Sequence, residues 1–250
     1  MIRLSMVKKS YGDKEVLKDV TLEVRKGEIL CLVGPNGSGK TTTLNIIAGL
    51  CRPDEGSVHI NDVLMDGREG NRVVHVSPFE RKVGYVFQEY ALFPHMTVRE
   101  NISYGLKARH LQEQEVRKRT QALLEFMGIL DHSEHHPHQL SGGQKQRTAL
   151  ARALAIEPEI LLLDEPLAAL DLRTRESLRV ELKRILADLG VTSIYVTHEL
   201  SEAYAVMDKI AVMGPGMIEQ IGSRDEILSK PNPYVAQFLG RNAYNGSRTG

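Results

Sequence analysis

The chain has 250 residues, with 32 Lys+Arg balancing 32 Asp+Glu, 42% hydrophobic residues and two cysteines. Zero net charge removes any long-range field drawing it to nucleic acid or an anionic bilayer, so such contacts are local if made at all. Cys31 and Cys51 are too few for a disulfide framework and lack Cys-x-x-Cys metal or redox spacing. No apolar run approaches the roughly 20 residues that cross a bilayer.

Ile2 to Val7 and Lys18 to Val24 alternate apolar with polar residues, the period of half-buried antiparallel strands, with Gly12-Asp13 as the turn between them. Ile29 to Val33, Val83 to Phe87, Ile160 to Leu163 and Ser193 to Val196 are short apolar runs instead, as expected of strands buried on both faces of a parallel sheet. Each breaks off into polar chemistry. Ligands of open parallel sheets bind just outside the carboxyl ends of the strands, so the loop from Gly34, then Gln88, Asp164 with Glu165, and Thr197 with His198 share one predicted rim. Thr97 to Glu100 has the form of a capping box, Val116, Leu123, Leu124 and Met127 recur on one helical face, and Gly128 is a stop, which predicts a helical insertion between the second and third of these strands. Asn101-Ile102-Ser103 within it is read as helix surface. Leu178, Leu182, Ile185, Leu186 and Leu189 predict a later helix ending at Gly190. From Pro231 and Pro233 through Gly240 to Gly250 the pattern predicts an irregular tail.

Three runs carry chemistry. In Gly34-Pro35-Asn36-Gly37-Ser38-Gly39-Lys40-Thr41 the glycines let backbone N–H groups close around phosphate oxygens, Lys40 reaches the terminal phosphates, and Thr41 offers a hydroxyl to Mg²⁺. The helix that follows points its positive end at the same anion. Leu161 to Glu165 ends an apolar strand in two carboxylates; Asp164 would hold Mg²⁺ through its water shell and Glu165 would orient and polarise an attacking water. Ser141-Gly142-Gly143-Gln144 has capping-box spacing, and two glycines just inside a helix cost stability, which predicts close approach of another backbone or an anion. That helix start receives a phosphate only if another surface supplies the nucleotide, so two chains sharing ATP are expected. His132, His135, His136 and His138 have no carboxylate or cysteine partner at metal spacing, which argues against a metal site there.

These motifs, in this order, resemble the ATPase subunit of ATP-binding-cassette (ABC) transporters over roughly Met1 to Gly240. The resemblance implies an α/β fold: a P-loop NTPase (RecA-like) core with an antiparallel β subdomain and a helical subdomain inserted at about 90–155, the whole ATPase domain spanning 1–240. Residues 241–250 would be a tail, where relatives often continue into a β-barrel regulatory domain. It identifies Gly34 to Thr41, with Thr42 beside them, as Walker A, Leu140 to Gln144 as the signature, and Asp164 with Glu165 as Walker B. Tyr11 becomes the adenine-stacking aromatic, Gln88 the Q-loop sensor of Mg²⁺ and γ-phosphate, Leu170-Asp171 the D-loop, and His198 the switch histidine on the γ-phosphate. ATP and Mg²⁺ are the implied cofactors, with Thr41, Gln88 and Asp164 around the metal and Glu165 as general base.

The implied partners are a second copy in a head-to-tail dimer, membrane permease subunits and an extracytoplasmic substrate-binding protein, with no nucleic acid, at the cytoplasmic face of the membrane. The apolar stretch Glu89 to Met96 would meet the permease. Together with Ser77 to Arg81 and Val235 to Gly240 it looks most like importer ATPases for molybdate, tungstate or sulfate, although sugar, polyamine and iron ATPases share much of it. A soluble ABC-type ATPase not coupled to transport is the alternative; the neutral charge and the lack of a long coiled-coil insertion or second cassette weigh against it. An ordinary P-loop kinase or GTPase would have no use for Ser141 to Gln144.

Overall fold

The computed structural model describes residues 1–168 and 170–246. Its contacts divide the chain into two compact units, Met1–Arg81 with the segment from Leu182 onward, and Lys82–Glu181. The first unit contains β1 (Ile2–Tyr11), β2 (Lys14–Val24), β3 (Ile29–Val33), α1 (Lys40–Ala48), β4 (Glu55–Ile60), β5 (Val63–Glu69) and β6 (Arg72–His75). The second contains β7 (Val83–Val86), α2 (Val98–Ala108), α3 (Glu113–Phe126), α4 (Gly142–Ala155) and β8 (Ile160–Asp164). The long helix α5 (Leu172–Leu189) leads back to the first unit, which closes with β9 (Thr192–Thr197), α6 (Leu200–Val206), β10 (Lys209–Gly214), β11 (Met217–Gly222), α7 (Arg224–Ser229) and α8 (Pro233–Gly246).

In the first unit the strands lie in the order β6-β5-β4-β1-β2-β11-β10-β3-β9. The alternating segments pair antiparallel as their period requires, Ile2 opposite Val24 and Leu4 opposite Leu22. Ile2 and Leu4 of β1 and Val20, Leu22 and Val24 of β2 are buried. The first register shift falls at Met6, whose φ of 49° and exposed side chain mark a bulge that returns Val7 to the buried face. Gly56 accommodates it: a Cβ there would stand 2.4 Å from the Met6 carbonyl oxygen. By contrast β3 is buried at all five positions and is flanked by parallel neighbours, β10 on one side and β9 on the other, as its unbroken apolar run predicts. In the second unit β7 and β8 pair parallel, Val83 with Ile160 through Val86 with Leu163.

Several expectations change. The hairpin β10–β11 and the strands β4 to β6 are additional to the strands expected from the sequence. The expected irregular tail is instead the helix α8 as far as Gly246, residues 247–250 lying outside the described residues. Its start has a physical cause: Asn232 Oδ1 accepts the Val235 N–H at 2.8 Å, and Pro233 sits in the first turn, where its missing N–H costs nothing. Asn101, expected on a helix surface, is fully buried. Its amide donates to the carbonyls of Phe93, Met96 and Thr97 and accepts from Phe93 N–H at 2.8 Å.

One ionic cluster in the first unit is wholly internal. The Arg81 side chain has no exposed surface; its guanidinium donates to the carbonyls of Ile46 and Ile47 at the end of α1 and to Val76 O. It is also paired with the Asp66 carboxylate, which meets His75 Nδ1 at 2.6 Å. A buried carboxylate that loses such a partner keeps its desolvation cost without the compensating attraction. Arg81→Met is therefore expected to lose about 3–5 kcal/mol of stability, with Asp66→Asn recovering part of it in the double variant; urea unfolding curves test this, and an undiminished midpoint for Arg81→Met would contradict the assignment.

Candidate active site

In the first unit the chain leaves β3 at Val33 and enters the loop Gly34–Gly39, where Gly37 (φ 79°) and Gly39 (φ 107°) take backbone conformations closed to other residues without strain. Gly34 is fixed by space as well, since a Cβ there would lie 2.3 Å from Met213 O. Lys40, only 5% exposed, folds its ammonium onto the carbonyls of Gly34 (2.9 Å) and Pro35 (3.0 Å). Ser38 Oγ is buried without a hydrogen-bond partner. A buried ammonium beside an orphaned hydroxyl at the start of a helix fits an anionic polyphosphate. Thr41 is exposed and Thr42 half-buried in the first turn of α1, while Pro35 and Asn36 are exposed in the loop.

Two further predicted residues belong to this unit. β3 and β9 pair parallel with Val33 opposite Thr197, so Gly34 and His198 leave adjacent strands at the same end, and His198 is exposed there. Tyr11 ends β1 with its ring half exposed; its hydroxyl lies 3.2 Å from Cys51 Sγ and also interacts with Thr42. The Cys51 contact, with burial second, raises the Tyr11 hydroxyl above the ordinary tyrosine range.

In the second unit Gln88 follows β7, and Asp164 and Glu165 end and follow β8; with Val86 opposite Leu163, they emerge at the same end of a parallel pair. Asp164 is 4% exposed, and the Tyr85 hydroxyl donates to its Oδ2 at 3.4 Å. Burial first, and the Asp164 charge second, push the Tyr85 hydroxyl far above its usual range, so it stays a donor. Glu165 has φ 45°, a left-handed backbone that a non-glycine residue holds only under constraint from its surroundings. Gln88 is exposed.

Ser141 caps α4 as its spacing predicts: the hydroxyl accepts from Gln144 N–H (3.3 Å) and Gln144 Oε1 accepts from Ser141 N–H (2.8 Å). The remaining amide nitrogen of Gln144 meets His132 Nε2 at 2.7 Å. Close approach at the glycines is supplied at least in part by this chain itself: a Cβ on Gly142 would stand 2.6 Å from Leu170 Cδ2 and one on Gly143 3.2 Å from Leu178 Cδ1. Asp171 Oδ1 accepts from Thr174 N–H at 3.1 Å, capping α5.

The residues that hold these groups were not singled out in the sequence. Arg152 donates to Tyr90 O and Ala91 O, where both residues have positive φ, and stacks over Phe93; with Asn101 it ties down the segment following Gln88. Glu202 is 4% exposed and receives two hydroxyls of β9. Both are lone polar residues whose partners lie on other elements or the preceding strand, and no local pattern marks them.

A family model described as ABC transporter matches residues 17–168, more than half of the chain. The spermidine/putrescine import ATP-binding protein PotA of Acetivibrio thermocellus is 45% identical over 241 residues, which cover 96% of this chain and 66% of that protein. The sulfate/thiosulfate import ATP-binding protein CysA of Nocardia farcinica is 46% identical over 241 residues, covering 96% and 70%. The chain spans about half to 70% of the length of the curated relatives it matches, 52% for PotA of Bacteroides thetaiotaomicron. Among solved structures, a dimeric structure of a post-hydrolysis state of the ATP-binding cassette MJ0796 bound to ADP and Pi has a TM-score of 0.77, at 35% identity, covering 89% of this chain and 98% of that one. The fold is that of the P-loop NTPases, α/β with an antiparallel portion and inserted helices, and the chain belongs to the ABC transporter family.

Proposed function

We propose that this chain is the ATP-hydrolysing subunit of an ABC importer, and that two copies, head to tail, enclose two ATP molecules between the loop Gly34–Thr41 of one and Ser141 to Gln144 of the other. The observation that carries the reading is the loop itself: a buried Lys40 ammonium and an unpaired Ser38 hydroxyl at the mouth of α1, beside the strand end that bears His198. The dimeric state of the ATP-binding cassette MJ0796, bound to ADP and Pi, supports the pairing of two copies.

The roles follow from the chemistry each group can do. Bound MgATP supplies the labile terminal phosphoryl group. Lys40 exchanges its carbonyl partners for phosphate oxygens, and the loop N–H groups with Ser38 take up the remaining charge. Thr41, Gln88 and Asp164 would stand around the metal, Asp164 through its water shell and kept in place by Tyr85. Glu165 orients the attacking water and accepts its proton as the new P–O bond forms and ADP departs, and His198 holds the terminal phosphate in line. Tyr11 stacks on the adenine and Thr42 lines the phosphates. Ser141, Gly142, Gly143 and Gln144 present the positive end of α4 to the partner copy's nucleotide, and Asp171 belongs to the same interface.

The subunit works peripherally at the cytoplasmic face of the membrane with permease subunits, which receive the stretch Glu89 to Met96, and with an extracytoplasmic substrate-binding protein. Among the described residues no helix is long and apolar enough to cross a membrane. The ATPase domain is assigned to 1–240, with a helical subdomain at about 90–155. For the solute we favour an oxyanion of the molybdate, tungstate or sulfate class, which the sulfate/thiosulfate name of CysA supports. PotA, named for spermidine and putrescine, stands at similar identity. Retention of labelled sulfate or molybdate by the binding protein of the native complex supports the oxyanion, and retention of spermidine instead overturns it.

Glu165→Gln is expected to keep ATP binding while lowering turnover at least about a hundredfold, so that gel filtration with ATP shows an accumulated dimer; a monomer with normal hydrolysis would refute the assignment. Ser141 is exposed, and Ser141→Arg is expected to cost about 1 kcal/mol of capping, to leave ATP binding to the monomer intact, and to abolish dimer closure. Unchanged hydrolysis in that variant would count against a shared site.

A further inference from the structure

The residues on either side of His198 are tied to one buried carboxylate. Glu202 lies in the first turn of α6, 4% exposed, and its Oε2 accepts the Thr197 hydroxyl at 2.6 Å and the Tyr195 hydroxyl at 3.3 Å. Thr197 Oγ1 in turn accepts the Glu199 N–H at 3.0 Å. The relay from Glu199 N–H through the Thr197 hydroxyl to Glu202 therefore brackets His198, which is exposed while Thr197 and Glu202 are buried.

A carboxylate in this place is costly to desolvate, and well-packed apolar residues often replace such buried ionic groups at no loss of stability. Its chemistry explains what an apolar residue would not supply. A hydroxyl has a single proton; Thr197 gives it to Glu202 Oε2, and a lone pair of Oγ1 is left for Glu199 N–H. The direction of the whole relay is thereby set, and with it the turn Thr197–Glu199. The other groups facing this carboxylate support the same polarity: burial, and then the Glu202 charge, push the Tyr195 hydroxyl and the Cys31 thiol well above their usual ranges, keeping both protonated.

We propose that Glu202, acting through Thr197, is a positioning residue for His198, fixing the turn so that the imidazole meets the terminal phosphate without reorganisation. This rests on the reading of His198 given above. It is not a catalytic residue: it touches neither nucleotide nor water in that reading, and its effect is transmitted by the backbone on both sides of the histidine.

The test uses Thr197→Val, which removes the hydroxyl and keeps the shape, against Thr197→Ser, which keeps the hydroxyl. In the purified chain Thr197→Val is expected to lower kcat for ATP about tenfold to a hundredfold, with unchanged affinity for a fluorescent ATP analogue, and Thr197→Ser to stay near the parent. In a His198→Ala background Thr197→Val should have no further effect, because its influence passes through the missing imidazole. A readout independent of turnover is the His198 ring signal in ¹³C-histidine NMR of the nucleotide-free chain, identified among nine histidines by its loss in His198→Ala. It should shift or broaden in Thr197→Val and Glu202→Gln and stay in place in Thr197→Ser. An unmoved His198 signal, or the same loss of kcat with and without His198, overturns the inference. Equal turnover of the parent and His198→Ala overturns the underlying reading of His198, whereas an impaired His198→Ala with an unimpaired Thr197→Val overturns the positioning role alone.

Discussion

Burial of β3 is the constraint from which the site follows. All five of its residues are buried and its backbone runs between two parallel neighbours, β10 and β9. Every peptide group inside such a strand must be paired, so chemistry is confined to where the strand stops. It stops at Val33, and the next residues are the loop that Lys40 closes. The helix that continues the loop is completed by a charge of the appropriate sign at its C-terminal end. Its positive N-terminus bears the anion-binding loop, and its C-terminal carbonyls, Ile46 and Ile47, receive the buried guanidinium of Arg81. Stability and function thus meet in α1: the cation that satisfies one end of the helix also locks its axis relative to β5 through Asp66.

Much of this was legible because the relevant signals are short and contiguous. Period-two alternation marked β1 and β2, unbroken apolar runs marked β3, β7, β8 and β9, and the capping boxes at Thr97 and Ser141 form as their spacing requires. The strands β4 to β6 escaped because their outer faces carry apolar residues, Val63 and Val73 being exposed, so the contrast between faces is lost. In the tail the start signal of α8 was present in Asn232-Pro233, but two prolines in three residues read more readily as a break. The supporting residues Arg81, Asn101, Arg152 and Glu202 have no signature at all. Each is a polar side chain made internal by carbonyls, amides or hydroxyls on other segments, and nothing in the local sequence announces a tertiary partner. The candidate binding residues were readable as motifs, and the residues that hold them in place were not.

The glycines of the signature run illustrate a similar limit. Paired glycines inside a helix were expected to mark the approach of something external. Leu170 and Leu178 already press against their Cα atoms from within the chain, so packing alone accounts for part of the requirement. The same contact joins the helix start at Ser141 to the segment that bears Asp171. The two elements predicted to face a partner copy are thus linked by packing within the chain.

Whether each nucleotide is enclosed by two chains is measured by mixing two defective variants. In a Glu165→Gln background, chains carrying Lys40→Ala lack a working phosphate loop and chains carrying Ser141→Arg lack a working helix start, so neither forms a closed dimer alone. A mixed pair contains one intact composite site, made from the loop of the second and the helix start of the first. Mixing is expected to produce a dimer retaining one ATP through gel filtration. Failure to retain nucleotide on mixing, with both chains folded and the Ser141→Arg chain binding ATP alone, would contradict enclosure by two chains.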